Sequence, residues 1–176
     1  MNKHKISKKM LIWDFVLLIF LNALDRVSKY LVHFHCKKDD YVIINDFLEI
    51  TYLENYGGAF GILNNQRFFF IFISVLFICL IIFFLCILPN NHRLNAFQIW
   101  LTFMVSGTIG NMLDRIIYGY ILDFIYIPKI NFPVFNLSDV WITFGAFFTI
   151  IIVLFKLKEK DFEFLNFKQN KYREIK

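Results

Sequence analysis

Little of this chain is charged. Asp, Glu, Lys and Arg together make up only 19% of its 176 residues, with seven glycines, three prolines and three cysteines. So low a charge content excludes a disordered chain, which needs high charge and low hydrophobicity. Three cysteines without a C-x-x-C pair exclude a disulfide framework. There is no H-E-x-x-H, no Walker loop and no G-x-G-x-x-G, so zincin, nucleotide and dinucleotide chemistry lack their usual carriers. His33-Phe34-His35-Cys36 offers three metal-binding side chains but no fourth nearby, so no metal site and no cofactor is expected. His4, His33, His35 and His92 are all remote from the polar helix faces described below, which argues against a Ser-His site.

What fills the sequence instead is apolar. Hydrophobic residues account for 58%, and phenylalanine alone for 24 positions. A soluble domain of this length has too much surface for its volume to hide such a load. An integral membrane protein of one domain, residues 1–176, is therefore expected. The formal net charge of +5 does not indicate nucleic acid, because the basic residues sit at the two ends. Lys3, Lys5, Lys8 and Lys9 open the chain, and seven Lys/Arg lie between Lys156 and Lys176. Basic ends around apolar runs read as topology determinants that touch anionic membrane lipids.

Four segments are long enough to span, at about 13–34, 68–88, 96–118 and 138–155. The basic start resembles a signal peptide, but no small-residue cleavage site follows, so the first helix is expected to be retained. Twelve Lys/Arg fall in the N-terminus, the 89–95 connection and the tail, against four in loops 35–67 and 119–138. Positive-inside then puts both termini in the cytoplasm and both of those loops outside. Leu48, Ile50 and Tyr52 alternate with polar residues, the period of a half-buried strand, so a small sheet is expected on the outer face. Pro128 and Pro133 make loop 119–138 irregular or extended. The tail 156–176 is expected to be a frayed helix or disordered.

Polar residues in an apolar solvent carry the functional information. An Asp or Arg near mid-span costs about 2.5–3.5 kcal/mol on insertion scales and needs partners or water. On the third segment Gly107, Gly110, Asn111 and Asp114 fall within one arc at 100° per residue. Asn22, Asp25 and Lys29 form a stripe on the first, and Asp139, Thr143 and Ala146 one on the fourth. Two readings stay open for these. The glycines can simply let helices approach, and Asp25–Lys29 can be an intrahelical pair, with Asp114 neutralised by Arg115 or by Lys29. Asp123 and Asp139 differ, since topology sets both at the outer boundary and fifteen residues can fold back between them. Two such acids share a proton, one acting as base on water and the other as acid. Capping of helix ends is the bland alternative for each.

Taken together, the motifs resemble those of bacterial lipoprotein signal peptidase (signal peptidase II), an aspartic endopeptidase family. They are Asp25-Arg26-Val27-Ser28-Lys29, Asn55-Tyr56-Gly57-Gly58-Ala59-Phe60, the run from Gly107 to Arg115, Gly119, Leu122-Asp123-Phe124 and Phe135-Asn136-Leu137-Ser138-Asp139. In that order they cover almost the whole chain. The resemblance implies four transmembrane helices with a small β cradle and a short mobile helix after Asn55 on the periplasmic face. It implies a catalytic dyad of Asp123 and Asp139, and supporting or substrate-contacting roles for Asp25, Lys29, Asn55, Gly107, Gly110, Asn111, Asp114, Arg115 and Asn136. The implied substrates are diacylglyceryl-modified prolipoproteins, cut before the lipidated cysteine by an inner-membrane enzyme expected to act as a monomer. None of the chain's own cysteines follows a lipobox-like sequence, which makes it a processor and not a substrate. Ser138 departs from the family's usual alanine, and its hydroxyl is expected to donate to the adjacent acid. A small proton-coupled transporter or channel subunit is the rival, and it requires polar stripes along the full span.

Overall fold

The computed structural model describes residues 8–58 and 61–165. Its helices are α1 (Lys8–His35), α2 (Arg67–Ile87), α3 (Asn95–Ile117) and α4 (Leu137–Phe155), and its strands β1 (Tyr41–Ile44), β2 (Leu48–Asn55), β3 (Ile121–Ile127) and β4 (Phe132–Phe135). Three of the four apolar segments match their helices to within one residue. α1 instead begins five residues before the expected Trp13, because the helical pattern continues through Lys8–Ile12. Among the described residues only α2 and α4 are by length and composition apolar enough to cross a membrane, with mean hydropathies of 3.4 and 2.1. α1 and α3 are as long, but charged and polar residues interrupt them.

Burial is inverted relative to a water-soluble protein. The fully buried side chains include Asp25, Asp114, Asp123, Asn136, Ser106 and Ser138, whereas Phe15, Phe20, Phe68, Phe72, Phe147 and Phe155 are exposed. In water, charged residues are almost never buried unless paired, and large exposed apolar faces mark contact with another phase. Here the apolar faces have lipid as their natural solvent.

α3 is the central helix, packed on α1, α2 and α4. Small residues set its closest approach. A Cβ on Gly107 would lie 2.2 Å from the backbone oxygen of Ser138, and one on Gly110 would lie 2.1 Å from the Ser138 hydroxyl. The first turn of α4 thus presses directly on α3, as small residues permit in membrane bundles. α3 ends at Gly119, whose φ of +88° suits a residue without Cβ and whose N–H caps the Arg115 carbonyl.

The four strands form one antiparallel sheet in the order β1-β2-β3-β4. β2 is the strand expected from the Leu48/Ile50/Tyr52 alternation. Loop 119–138, expected to be irregular or extended, is a β3–β4 hairpin. Pro128 opens a 3₁₀ turn there, and Pro133 lies in an edge strand, where a missing N–H costs little. The register sets Leu53 opposite Asp123 and Asn55 opposite Ile121. Leu122 and Phe124 pack on Val32 and Cys36, which fixes the sheet on the end of α1 and uses Cys36 as a small hydrophobe. Residues Glu159–Leu165 form a 3₁₀ segment, not a frayed helix, and Phe162 and Phe164 pack beside Leu88, Leu94 and Ile152. The rest of the tail, 166–176, lies outside the described residues, as do Ala59 and Phe60 in the segment after Asn55.

Candidate active site

β3 carries Asp123 across from β2, and the β3–β4 hairpin returns the chain to the start of α4, where Asp139 sits. Asp123 is 2% exposed. Its Oδ2 accepts from Asn55 Nδ2 at 2.9 Å, and its Oδ1 accepts from Asn136 Nδ2 at 2.6 Å. Asp139 Oδ1 accepts from Asn111 Nδ2 at 2.7 Å, and its Oδ2 accepts from the Asn136 N–H at 3.1 Å. Asn136 Oδ1 accepts the Asp139 N–H in return, completing a capping box. Capping is therefore a real role of Asp139, but not of Asp123, which is mid-strand. Asn136 joins the two acids through its amide and also donates to Asn111 Oδ1 at 3.2 Å.

Asp123, Asp139, Asn55 and Asn111 line a cavity of about 1070 Å³, with Arg115 on its wall and Phe132, Val134, Phe135 and Phe144 as apolar lining. Burial, and next the neighbouring charge of Asp139, push the Asp123 carboxyl up to about 7. A carboxyl protonated near neutrality beside a second carboxylate is a pair set for acid–base work.

A second polar cluster ties the bundle together behind the acids. Lys29 Nζ lies 2.9 Å from Asp25 Oδ2 and 2.7 Å from Asp114 Oδ2. Arg26 reaches Asp114 Oδ1 at 2.6 Å and Asp25 Oδ2 at 3.0 Å, and donates to the Gly110 carbonyl. The remaining Asp25 oxygen accepts the Ser138 N–H at 3.1 Å, one residue before Asp139. Two acids and two bases neutralise one another between α1, α3 and α4. Lys29 is thus the partner of Asp114 that the sequence allows, and Arg26 is a second one for which the sequence proposes no pairing.

Arg115 does not neutralise Asp114. It donates to the Gly57 carbonyl at 2.8 Å and stacks over Phe70 at 4.4 Å, pinning the loop that follows β2. Asn55 Oδ1 accepts the Gly57 N–H and so fixes the same loop from below. Glu54, missed in the sequence, accepts from Tyr52 and Tyr56 at 2.9 and 2.8 Å, holding the end of β2.

The Ser138 hydroxyl does not donate to Asp139. It is fully buried, has no hydrogen-bond partner among the described residues and faces Gly110. An unmade buried hydrogen bond costs about 1–3 kcal/mol. Ser138→Ala should therefore raise stability by about 1 kcal/mol, read as a higher unfolding temperature with turnover unchanged. A lower unfolding temperature would show that the hydroxyl has a partner.

Buried polar positions continue along α3 through Gln98, Thr102 and Ser106, and Asp14 on α1 accepts from Gln98. Sequence reasoning missed Asp14 and Gln98, and with them the acid in the half of the bundle away from the sheet. Asp14 stands alone at the start of an apolar run and gives no motif.

Residues 17–155 match the family described as signal peptidase (SPase) II. The chain is 38% identical over 154 residues to the lipoprotein signal peptidase of Clostridium tetani (strain Massachusetts / E88), covering 85% of this chain and 96% of the relative. The lipoprotein signal peptidase of Streptococcus pyogenes serotype M5 is 37% identical over 147 residues, 82% of this chain and 93% of that one. Two solved bacterial membrane enzyme structures superpose with TM-scores of 0.77 and 0.74 at 27% and 28% identity. Each covers 90% of this chain, and 98% and 100% of the solved chains respectively. With a family match across most of the residues and relatives above one-third identity, the chain belongs to the signal peptidase II family, and its activity is that of a membrane peptidase.

Proposed function

We propose that this chain removes signal peptides from diacylglyceryl-modified prolipoproteins, cutting before the lipidated cysteine with water activated by Asp123 and Asp139. One observation carries the reading: a buried Asp123 and a half-buried Asp139, joined through Asn136 at the wall of a cavity whose other wall is apolar. The apolar lining suits acyl chains, and the polar floor suits a peptide bond and a water molecule.

In this reading Asp139 takes a proton from water as its oxygen attacks the scissile carbonyl, while protonated Asp123 donates to the carbonyl oxygen. Collapse of the tetrahedral species breaks the C–N bond, and the proton on Asp139 passes to the departing cysteine nitrogen. The hydroxyl proton returns to Asp123, so the pair ends as it began. Asn55 and Asn111 hold the outer oxygens of the two acids, Asn136 spaces them, and Arg115 holds the loop over the cavity. Asp25, Lys29 and Asp114 fix α4, with Gly107 and Gly110 allowing its approach. The dyad titrates as a unit.

All four helices span in this account, both termini are cytoplasmic, and the sheet and cavity lie on the outer face of the bacterial inner membrane. Twelve basic residues against four support that orientation. The chain works as a single copy among lipids, since the acids, their asparagines and the cavity all come from one chain.

The test is cleavage of a synthetic diacylglyceryl lipopeptide by the purified chain, with an unlipidated peptide as control. Cleavage before the modified cysteine is expected, with the control left intact. Cutting elsewhere, or equal cutting of the control, contradicts the reading. The same assay has a pH signature. Asp123 must be protonated, so the rate falls about ten-fold per pH unit above about pH 7, and it falls again in acid once Asp139 is protonated and cannot act as base. A rate that rises through pH 7 to 9 would assign the proton to another group.

A further inference from the structure

β2 changes its support along its length. β1 pairs only with Leu48–Ile50, whereas β3 runs opposite Leu53, Glu54 and Asn55. The end of β2 therefore has a neighbouring strand on one side alone. Asn55, whose amide holds Asp123, is its last residue, and the chain turns away at Gly57. Strand ends held on one edge open at low cost.

Side chains brace this end from the other face of the sheet. Alternation along the strand puts Tyr52 and Glu54 opposite Asn55. Glu54 accepts from the Tyr52 hydroxyl at 2.9 Å and from the Tyr56 hydroxyl at 2.8 Å. Tyr52 Oη also lies 3.3 Å from Tyr120 Oη and 3.4 Å from His33 Nδ1, with Lys37 Nζ 5.4 Å from its ring centre. Tyr120 immediately precedes Ile121, the residue opposite Asn55, and its ring lies 5.5 Å from that of Tyr56. The brace thus ties both strands of the Asn55–Asp123 pair to the C-terminal end of α1. The Tyr56 hydroxyl holds the Glu54 carboxyl below the usual carboxylate range, so both bonds are accepted by an anion.

We propose that Glu54 is a positioning residue for Asp123: by clamping Tyr52 and Tyr56 it keeps the Asn55 amide on that acid. Its effect on rate rests on the Asp123 chemistry proposed above, but the clamp itself does not. Burial, and next Asp139, raise the Asp123 carboxyl, and the Asn55 hydrogen bond opposes that rise. A loosened Asn55 therefore lets Asp123 keep its proton to higher pH. The other charges around Asp123 are Asp139 on α4, Lys29 on α1 and Arg115 on α3, and a change at Glu54 leaves all three in place.

The experiment compares the full chain with Glu54→Ala, Glu54→Gln and Glu49→Ala in the lipopeptide assay across pH. Glu54→Ala should lower kcat about ten-fold with KM within about two-fold, because the acid is misplaced while the apolar lining is kept. The alkaline fall in rate should move up by about 0.5–1 pH unit. Glu54→Gln, which leaves one carbonyl to accept a phenol, should lie between that variant and the parent. Glu49→Ala, on the same strand but outside the brace, should match the parent. A brace that merely stabilised the fold would lower the amount of active enzyme, with kcat per folded molecule and the alkaline limb unmoved. That result would overturn the proposal. Infrared titration of the Asp123 carboxyl, assigned by its loss in Asp123→Asn, reads the same shift without turnover. No shift there in Glu54→Ala sinks the clamp even in an active enzyme. The shift in a chain that cuts no lipopeptide sinks the peptidase reading and leaves the clamp standing.

Discussion

Asp123→Asn should abolish lipopeptide cleavage, by about 10³-fold or more, without unfolding the protein. Asparagine keeps the shape of the side chain and can still accept one hydrogen bond from Asn55 or Asn136. What it loses is the exchangeable proton and the charge that a shared-proton pair requires. Asp139→Asn should be as inactive, since general base and general acid fail together when they act as one unit. It should also loosen the first turn of α4 slightly, because Asp139 accepts the Asn136 N–H in the capping box. Binding of an uncleavable diacylated peptide should survive in both variants. A folded Asp123→Asn enzyme with more than a tenth of the original rate would remove Asp123 from the chemistry.

Breaking the ionic cluster should give the largest loss of stability. In Asp114→Ala, Lys29 and Arg26 keep only Asp25 between them, and the Lys29 side chain is 5% exposed. Removing one member of a buried charge set leaves an uncompensated ion and costs about 3–5 kcal/mol. The expected readout is a marked drop in unfolding temperature in detergent, with cleavage lost in proportion to folded protein. Lys29→Met combined with Asp114→Leu should recover much of that loss, because a well-packed apolar replacement of a buried pair can be nearly neutral. If Asp114→Ala were as stable as the parent, the cluster would be reached by water in the folded protein.

The helices were legible because lipid-facing sequence is a strong signal: long apolar runs end where Pro89 and Gly119 permit no continuation. Asp123 and Asp139 stood out for the reason that few acids remain once charges in the ends and loops are set aside. Their asparagine partners did not stand out in the same way. Asn55 and Asp123 are 68 positions apart, and only the register of β2 on β3 brings them together. The β3–β4 hairpin was hidden by its prolines, which forbid a central strand but are tolerated at an edge. Arg115 was misleading for a different reason. Adjacent residues on a helix diverge by about 100°, and here that turns Arg115 toward Gly57 and Phe70, away from Asp114. Asp114 instead finds Lys29 and Arg26 on another helix. Ser138 shows the same limit, since proximity in sequence to Asp139 said nothing of where its hydroxyl points.

The central claim, that Asp123 and Asp139 of this chain release signal peptides from diacylated precursors, is tested most directly in membranes. Cells whose only such peptidase is the Asp139→Asn form should be compared with the parent by mass spectrometry of their lipoproteins. The account predicts precursors that carry both the diacylglyceryl group and an intact signal peptide, with mature forms restored by the parent chain. Mature lipoproteins in normal amount in the Asp139→Asn cells would contradict it.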